Sequence, residues 1–312
     1  SVTKHFVKFG AAAAEIQKVP SQYSCTLMFL TTYSKLSRKQ LKNWRWKWAE
    51  PLLLRYQTKC TMNNLNSTNI NLTMELAEIN LKTHIVENVY PGRGIVLGRN
   101  DENSWIVIYW IMGRSSNSRN RIFTHENGIL RTEAADPTLL EDPSLIIYNV
   151  MRDVDRRIVV TNGSHTDTIC DGLVQGESFY TSLHAEKHEP DAPNYTTRIS
   201  GIIEQSDSSM ALSRISKSDF SAEHSAHFYY RYTDIPAGYG YCVTTYMGDG
   251  NPLPAFAGDP ILLPLEGDAE KIADNCWQKL NPDNRISLFV RELNNSGEDR
   301  LIIINRFQMA KQ

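Results

Sequence analysis

Apolar and polar positions along this 312-residue chain alternate in short runs far more often than they recur at helical spacing. The apolar run Trp105 to Met112, β-branched and aromatic, predicts a buried strand ending at Gly113. Upstream, Ile95-Val-Leu-Gly predicts a strand fed by the turn Tyr90-Pro-Gly-Arg-Gly. Downstream, Arg121–Thr124 and Gly128–Thr132 predict a hairpin around Glu126-Asn127-Gly128. Asp142–Arg152 and Arg157–Thr161 read as strands, the second stopping at Asn162-Gly163. Arg198–Glu204 with Ser209–Arg214 read as one strand pair, and His227–Arg231 with Gly240–Tyr246 as another. Ile286–Arg291 and Arg300–Asn305 close the chain as strands. Helical spacing is confined to a segment from Met74 to near Asn88, to Gly176–His188, and to Glu270–Leu280 with Ile272, Cys276 and Leu280 on one side. Many strands with few helices predict an α+β fold of packed sheets.

Charge divides the chain. Residues 1–73 carry 11 Lys+Arg and 2 Asp+Glu, a balance of +9, which leaves −11 for the remainder. In the basic part, Lys35–Lys47 interleaves cations with Trp44 and Trp46, a composition that can bind nucleic acid or an anionic membrane. Asn63–Asn71 is asparagine-rich and short of helix or strand signals. Composition changes at Met74, so residues 1–73 are read as a basic N-terminal extension, non-native or poorly ordered, and residues 74–312 as a separate domain. A targeting segment and a separate binding module stay open for the extension. The five cysteines are scattered and odd in number, which points to a reducing compartment. No membrane-span-length apolar run and no secretory signal pattern occur, and a cytoplasmic location is expected.

Candidate chemistry concentrates after the long strand. Arg114, Arg119 and Arg121 crowd a loop whose other members are Ser115, Ser116, Asn117, Ser118 and Asn120. Guanidinium forks match phosphate or carboxylate geometry, and an extended loop would put Arg119 and Arg121 on one face. A solvated basic loop is the plain alternative. Gly92, Gly94 and Gly98 superficially suggest a phosphate-cradling loop, but no strand precedes them and no Lys-Ser or Lys-Thr follows. His184 and His188 have metal-ligand spacing on the expected helix, but Ala185 stands where a zincin motif needs glutamate. In Glu189–Gly201, two prolines hold a carboxylate-bearing loop open after that helix.

Four segments now stand together and in order: Arg114-Ser-Ser-Asn-Ser-Arg-Asn-Arg, Ile146-Ile-Tyr-Asn-Val-Met-Arg, Thr161-Asn-Gly-Ser-His-Thr-Asp, and Asp191 to Gly201. The set resembles the archaeal-type IMP cyclohydrolase family with its bacterial relatives, over roughly residues 88–310. The resemblance implies a four-layer α/β/β/α sandwich like that of the N-terminal-nucleophile hydrolases, without their nucleophilic mechanism. It also implies a homo-oligomer, a tetramer in the family, with no metal and no cofactor. The implied reaction closes the purine ring of FAICAR, the formylated aminoimidazole carboxamide ribonucleotide, to IMP. By the same resemblance Tyr148, Glu189 and Arg114 are catalytic candidates. Arg119, Arg121, Asn117, Asn162, Asp167, Asp191, Asn194 and Arg198 would bind the nucleotide. A third arginine in the loop leaves the arginine roles open, and Thr197 stands where proline is expected, which leaves Asp191 as an alternative base. A related amide hydrolase and a nucleotide-binding regulatory module are the competing readings.

Overall fold

A computed structural model describes residues 65–140, 143, 146–294 and 296–308, with backbone only for 65–71. The chain divides into two units, Ser1–Leu65 and Asn66–Gln312, and the fold below is that of the second. The basic, tryptophan-bearing segment lies outside the described residues, as do Glu141, Asp142, Ser144 and Leu145.

Two antiparallel sheets form the body. One has six strands, β1 (Gly94–Arg99), β2 (Trp105–Met112), β10 (Tyr239–Thr244), β11 (Ile261–Pro264), β12 (Arg285–Leu293) and β13 (Asp299–Asn305), in the order β11-β10-β1-β2-β12-β13. The other runs β3-β4-β5-β6-β7-β8-β9. Its strands are β3 (Ile122–Glu126), β4 (Ile129–Glu133), β5 (Asn149–Val154), β6 (Arg157–Thr161), β7 (Arg198–Glu204), β8 (Ser209–Lys217) and β9 (Ser225–Tyr232). β2 is the long apolar run, central in its sheet and buried along its whole length. Asn127 and Gly128 both take positive φ between β3 and β4, as a tight hairpin turn requires.

Side-chain alternation in the seven-stranded sheet sorts two cores. Ile158, Val160, Ile199, Ile203, Met210 and Leu212 join the cluster shared with β1 and β2. Val159, Ile202, Ala211 and Ile215 point the other way and pack with Ile169, Cys170, Leu173, Phe179 and Leu183. This period of two tells which face meets the other sheet. The sheets approach closely at Gly201, where an added Cβ would stand 2.7 Å from Leu97 Cδ1.

Five helices are described: α1 (Leu65–Leu81), which runs into a π-helical turn over Lys82–Val86, α2 (Ser116–Arg119), α3 (His165–Val174), α4 (Phe179–Ser182) and α5 (Ala269–Lys279). α3 packs on β5 and β6, and α5 on β12 and β13. Asp268 caps α5, its carboxylate accepting from the Lys271 N–H at 3.0 Å.

The structure departs from the sequence expectations at five places. α1 begins at Leu65, before Met74, so the change in composition at Met74 falls inside one continuous helix rather than at its start. Helix α3 starts at the polar run Ser164–Thr168 beside the Asn162-Gly163 stop, where no helix is expected: small polar residues there are a helix-start signal. Conversely, Gly176 at φ +86° ends that helix, and only four residues of 176–188 are helical. The strand expected from Asp142 begins only at Asn149. His227–Arg231 and Gly240–Tyr246 do not pair: β9 bonds to β8, whereas β10 bonds to β1 and β11 in the other sheet.

Candidate functional site

The long strand β2 ends at Gly113, whose missing Cβ leaves room for the Ser118 carbonyl and lets the chain fold back sharply. The following loop is not extended. Ser115 caps α2, accepting from the Ser118 N–H at 3.2 Å, and this short helix turns the three arginines to different sides. Arg114 lies over the Tyr90 ring at 4.8 Å and pairs with Asp249. Arg121 is buried, donating from Nε to the Ser118 carbonyl at 2.9 Å. Arg119 donates back to the Arg114 carbonyl at 3.3 Å and does not share a face with Arg121. The expectation that an extended loop aligns them is therefore corrected.

Part of this loop forms one wall of a cavity of about 390 Å³. Arg114, Asn117 and Arg121 stand on that wall; Glu189, Asp191, Asn194 and Thr196 stand on another; Tyr90, Arg93 and Tyr246 complete it. A mouth of this size with convergent polar groups suits a nucleotide-sized ligand. Arg121 has no carboxylate within ion-pair distance among the described residues, so its charge is not neutralised by a partner there. Asn117 Oδ1 is buried with no hydrogen-bond partner, an acceptor left for something else.

At the base of the cavity, Arg93 and Glu189 form a bidentate pair with both N···O distances 2.9 Å. Both side chains are almost wholly buried. Arg93 also donates to the Asn162 carbonyl at 3.0 Å. Burial pulls the Arg93 pKa down, but the Glu189 carboxylate, then Tyr148 and Tyr109, outweigh it and hold the guanidinium well above its ordinary range. Two glycines place this arginine. Gly92 sits at φ +73° with Thr245 and Tyr246 where a Cβ would go, and Gly94 lies against the Trp110 ring. The glycine-rich run is thus a turn that delivers Arg93 rather than a phosphate-cradling loop.

Tyr148 is buried behind this pair, its hydroxyl 2.9 Å from that of Tyr109. Burial, then the Tyr148 hydroxyl, push the Tyr109 phenol well above its usual range. On the other side Asp191 accepts from the Thr196 N–H at 2.6 Å and from its hydroxyl, and that hydroxyl contacts Tyr246. Burial pushes the Tyr246 phenol up to about 12. Tyr90 and Tyr246 stack at 5.9 Å, giving the cavity an aromatic side. Asn194 Oδ1 accepts from the Leu253 N–H at 3.0 Å.

The remaining candidates stand apart from the cavity. Asn162 is a brace: its amide oxygen accepts from the Ile199 N–H at 2.8 Å and its amide nitrogen donates to the Thr197 carbonyl at 3.0 Å. Asp167 holds Arg152 at 2.7 Å and Asn149 at 2.9 Å on the helix-covered side of its sheet. Arg198 donates to the buried His165 Nδ1 at 3.0 Å and to the Lys187 carbonyl at 2.8 Å. Arg119 also lies outside the cavity lining. Of the residues proposed from sequence, the cavity gathers Arg114, Asn117, Arg121, Glu189, Asp191 and Asn194. Sequence reading passed over Arg93, Tyr90, Thr196 and Tyr246. Arginine between two glycines was the available signal for the first. His188 donates its backbone N–H to the Ser225 hydroxyl rather than joining His184 on a helix. Among the described residues no three His, Cys, Asp or Glu side chains gather in a metal-binding group.

A family described as IMP cyclohydrolase-like protein matches residues 90–297 of this chain. A protein named IMP cyclohydrolase from Methanopyrus kandleri is 32% identical over 120 residues, 37% of this chain and 59% of that protein. Proteins of the same name from Methanococcus maripaludis and Methanocaldococcus jannaschii are 32% identical over 119 residues and 27% over 120, covering 58% and 59% of their lengths. The matched stretches thus span less than two thirds of each of these relatives.

Proposed function

The chain belongs to the IMP cyclohydrolase-like protein family, and on that footing we propose that it closes the purine ring of FAICAR, giving IMP and water. The observation that carries this reading is the buried Arg93–Glu189 pair at the base of a polar cavity whose wall holds the unneutralised Arg121. The 5′-phosphate would lie on Arg114 and Arg121, which present guanidinium forks to an anion. The purine precursor would lie against Tyr90 and Tyr246 and reach the Arg93–Glu189 pair.

The reaction is intramolecular. The carboxamide nitrogen attacks the formyl carbon and gives up one proton as the C–N bond forms; the formyl oxygen takes up two protons, the second released by the formamido nitrogen, and leaves as water as the C–O bond breaks and the C=N bond forms. Holding the two arms coplanar supplies much of the acceleration. The amide nitrogen is a weak nucleophile, so a carboxylate that accepts its hydrogen as the bond forms lowers the barrier. Glu189, fixed by two hydrogen bonds, suits that role, with Asp191 as the alternative. Negative charge developing on the formyl oxygen calls for a fixed cation or donor. Arg93, kept cationic by its partner, suits it, and Tyr148 orients the group from behind.

We further assign residues 74–312 as the catalytic domain and 1–73 as a basic extension. The sandwich of two sheets is read as the four-layer α/β/β/α arrangement of the N-terminal-nucleophile hydrolases. The family resemblance supports a homotetramer acting without cofactor or metal. No described helix is long and apolar enough to cross a membrane, and we place the enzyme in the cytoplasm. The test is turnover of FAICAR by the full chain and by its Glu189→Gln variant. Turnover lost while IMP binding remains supports the assignment; IMP binding with no wild-type turnover would favour the regulatory-module reading.

A further inference from the structure

Helix α1 is apolar on two opposite faces. One face, Ala77, Leu81 and Ile85, is buried or half-buried against the body, and the Asn80 side chain anchors it by donating to the Leu262 carbonyl at 3.0 Å. The π-helical turn at Lys82–Val86 keeps Ile85 in that row. The opposite face carries Leu72, Leu76 and Ile79, exposed by 45%, 38% and 53%, with Thr83 next in line. At about 3.6 residues per turn these positions form one stripe, spaced i, i+4, i+7, i+11. A helix with both faces apolar is stable in water only if the second face is also covered. The segment precedes residue 90, where the family match begins, so nothing known of the matched region accounts for it.

The flanking charges identify what covers it. Glu75 and Lys82 lie seven residues apart on the same edge of the stripe. In an antiparallel pairing of two such helices, Leu76 meets Ile79 of the second copy and Ile79 meets its Leu76, with Leu72 and Thr83 closing the ends. That register brings Glu75 of each copy to Lys82 of the other, on the same edge, twice over. Thr73 and Asn80, on the other edge, bring no like charges together. Lys82 is exposed and held by one long contact to Glu87, 3.6 Å, which is readily exchanged.

We propose that this face docks the same face of a second copy of the chain, antiparallel, through the Leu72–Leu76–Ile79 stripe with reciprocal Glu75–Lys82 pairs. A stripe of three turns covers less than the roughly 800 Å² per partner of a standard interface, so the association is concentration-dependent. The test is sedimentation equilibrium of the full chain over a wide concentration range, with far-UV circular dichroism as the folding control. The wild type is expected to show a monomer–dimer step, or one such step within a larger assembly. Glu75→Lys and Lys82→Glu singly are each expected to weaken that step at least several-fold, and combining the two reversals to restore it. Leu76→Glu with Ile79→Glu is expected to abolish it without loss of helix signal. Absence of any such step, or a double reversal no tighter than either single one, overturns the proposal. Loss of fold in Leu76→Glu with Ile79→Glu from a chain that never self-associates would give the face to another segment of the same chain.

Discussion

Arg93 and Glu189 stand 96 residues apart in sequence and meet at 2.9 Å through both terminal guanidinium nitrogens. Neither is stable alone where it sits, because an unpartnered buried charge is heavily penalised. Glu189→Gln keeps the shape and removes the charge, and Arg93→Met keeps most of the volume. Each is expected to lower kcat by about 10²–10³, the scale seen when one fixed transition-state contact is lost. The double variant is expected to lose little more than either single one, because the two side chains act as one unit. Steady-state kinetics on the four proteins checks this.

Arg121 is assigned to the phosphate rather than to the chemistry. Arg121→Ala is therefore expected to raise KM by about tenfold or more while leaving kcat within a small factor. The binding of free IMP should weaken in parallel and lose much of its salt dependence. Isothermal titration at two ionic strengths reads both effects.

His165 is fully buried, and burial, then the neighbouring Arg198, hold its pKa well below the ordinary value. The ring is neutral: Nδ1 accepts from Arg198, which leaves Nε2 to donate to the Ile199 carbonyl at 3.3 Å. The unfolded chain binds a proton here near pH 6.5 and the folded one only at much lower pH. Stability is thus fully present above about pH 6.5 and falls as pH drops below it, by up to about 1.4 kcal/mol per pH unit from this group. Urea unfolding at descending pH should show the loss, and His165→Gln should show less of it.

Arg291 ties the two sheets together. From β12 it grips Asp153 on β5 at 2.6 and 2.8 Å and Asp299 on β13 at 2.9 and 2.7 Å. Removing it strands two carboxylates. Because both are partly exposed, Arg291→Ala is expected to cost about 2–3 kcal/mol rather than the 3–5 of a fully buried pair. Equilibrium denaturation measures the difference, and activity per folded molecule should be unchanged.

What could be read from the residues divides along physical lines. β2 and the Asn127-Gly128 hairpin were legible because their signals are local: an uninterrupted apolar run and two residues that accept positive φ. The partners of β9 and β10 were not, because nearness in sequence suggested a hairpin whereas the two strands lie in different sheets, where Tyr232 and Tyr241 stack with ring centroids 3.9 Å apart. In the cavity, the loop arginines and Glu189 carry evident chemistry. Arg93 does not, since its role depends on a glycine turn packing against Trp110 on the neighbouring strand and Thr245 far along the chain. Asp167 and Arg198 look equally functional in sequence, yet the fold pairs them with Arg152 and His165 outside the cavity.

The most direct measurement is the ultraviolet absorbance change when the purified full chain meets FAICAR in buffer containing a chelator, run beside Glu189→Gln. Conversion to IMP by the wild type, lost in the variant while IMP binding persists, is the expected result. No conversion by a folded wild-type chain that still binds IMP would contradict ring closure as its activity.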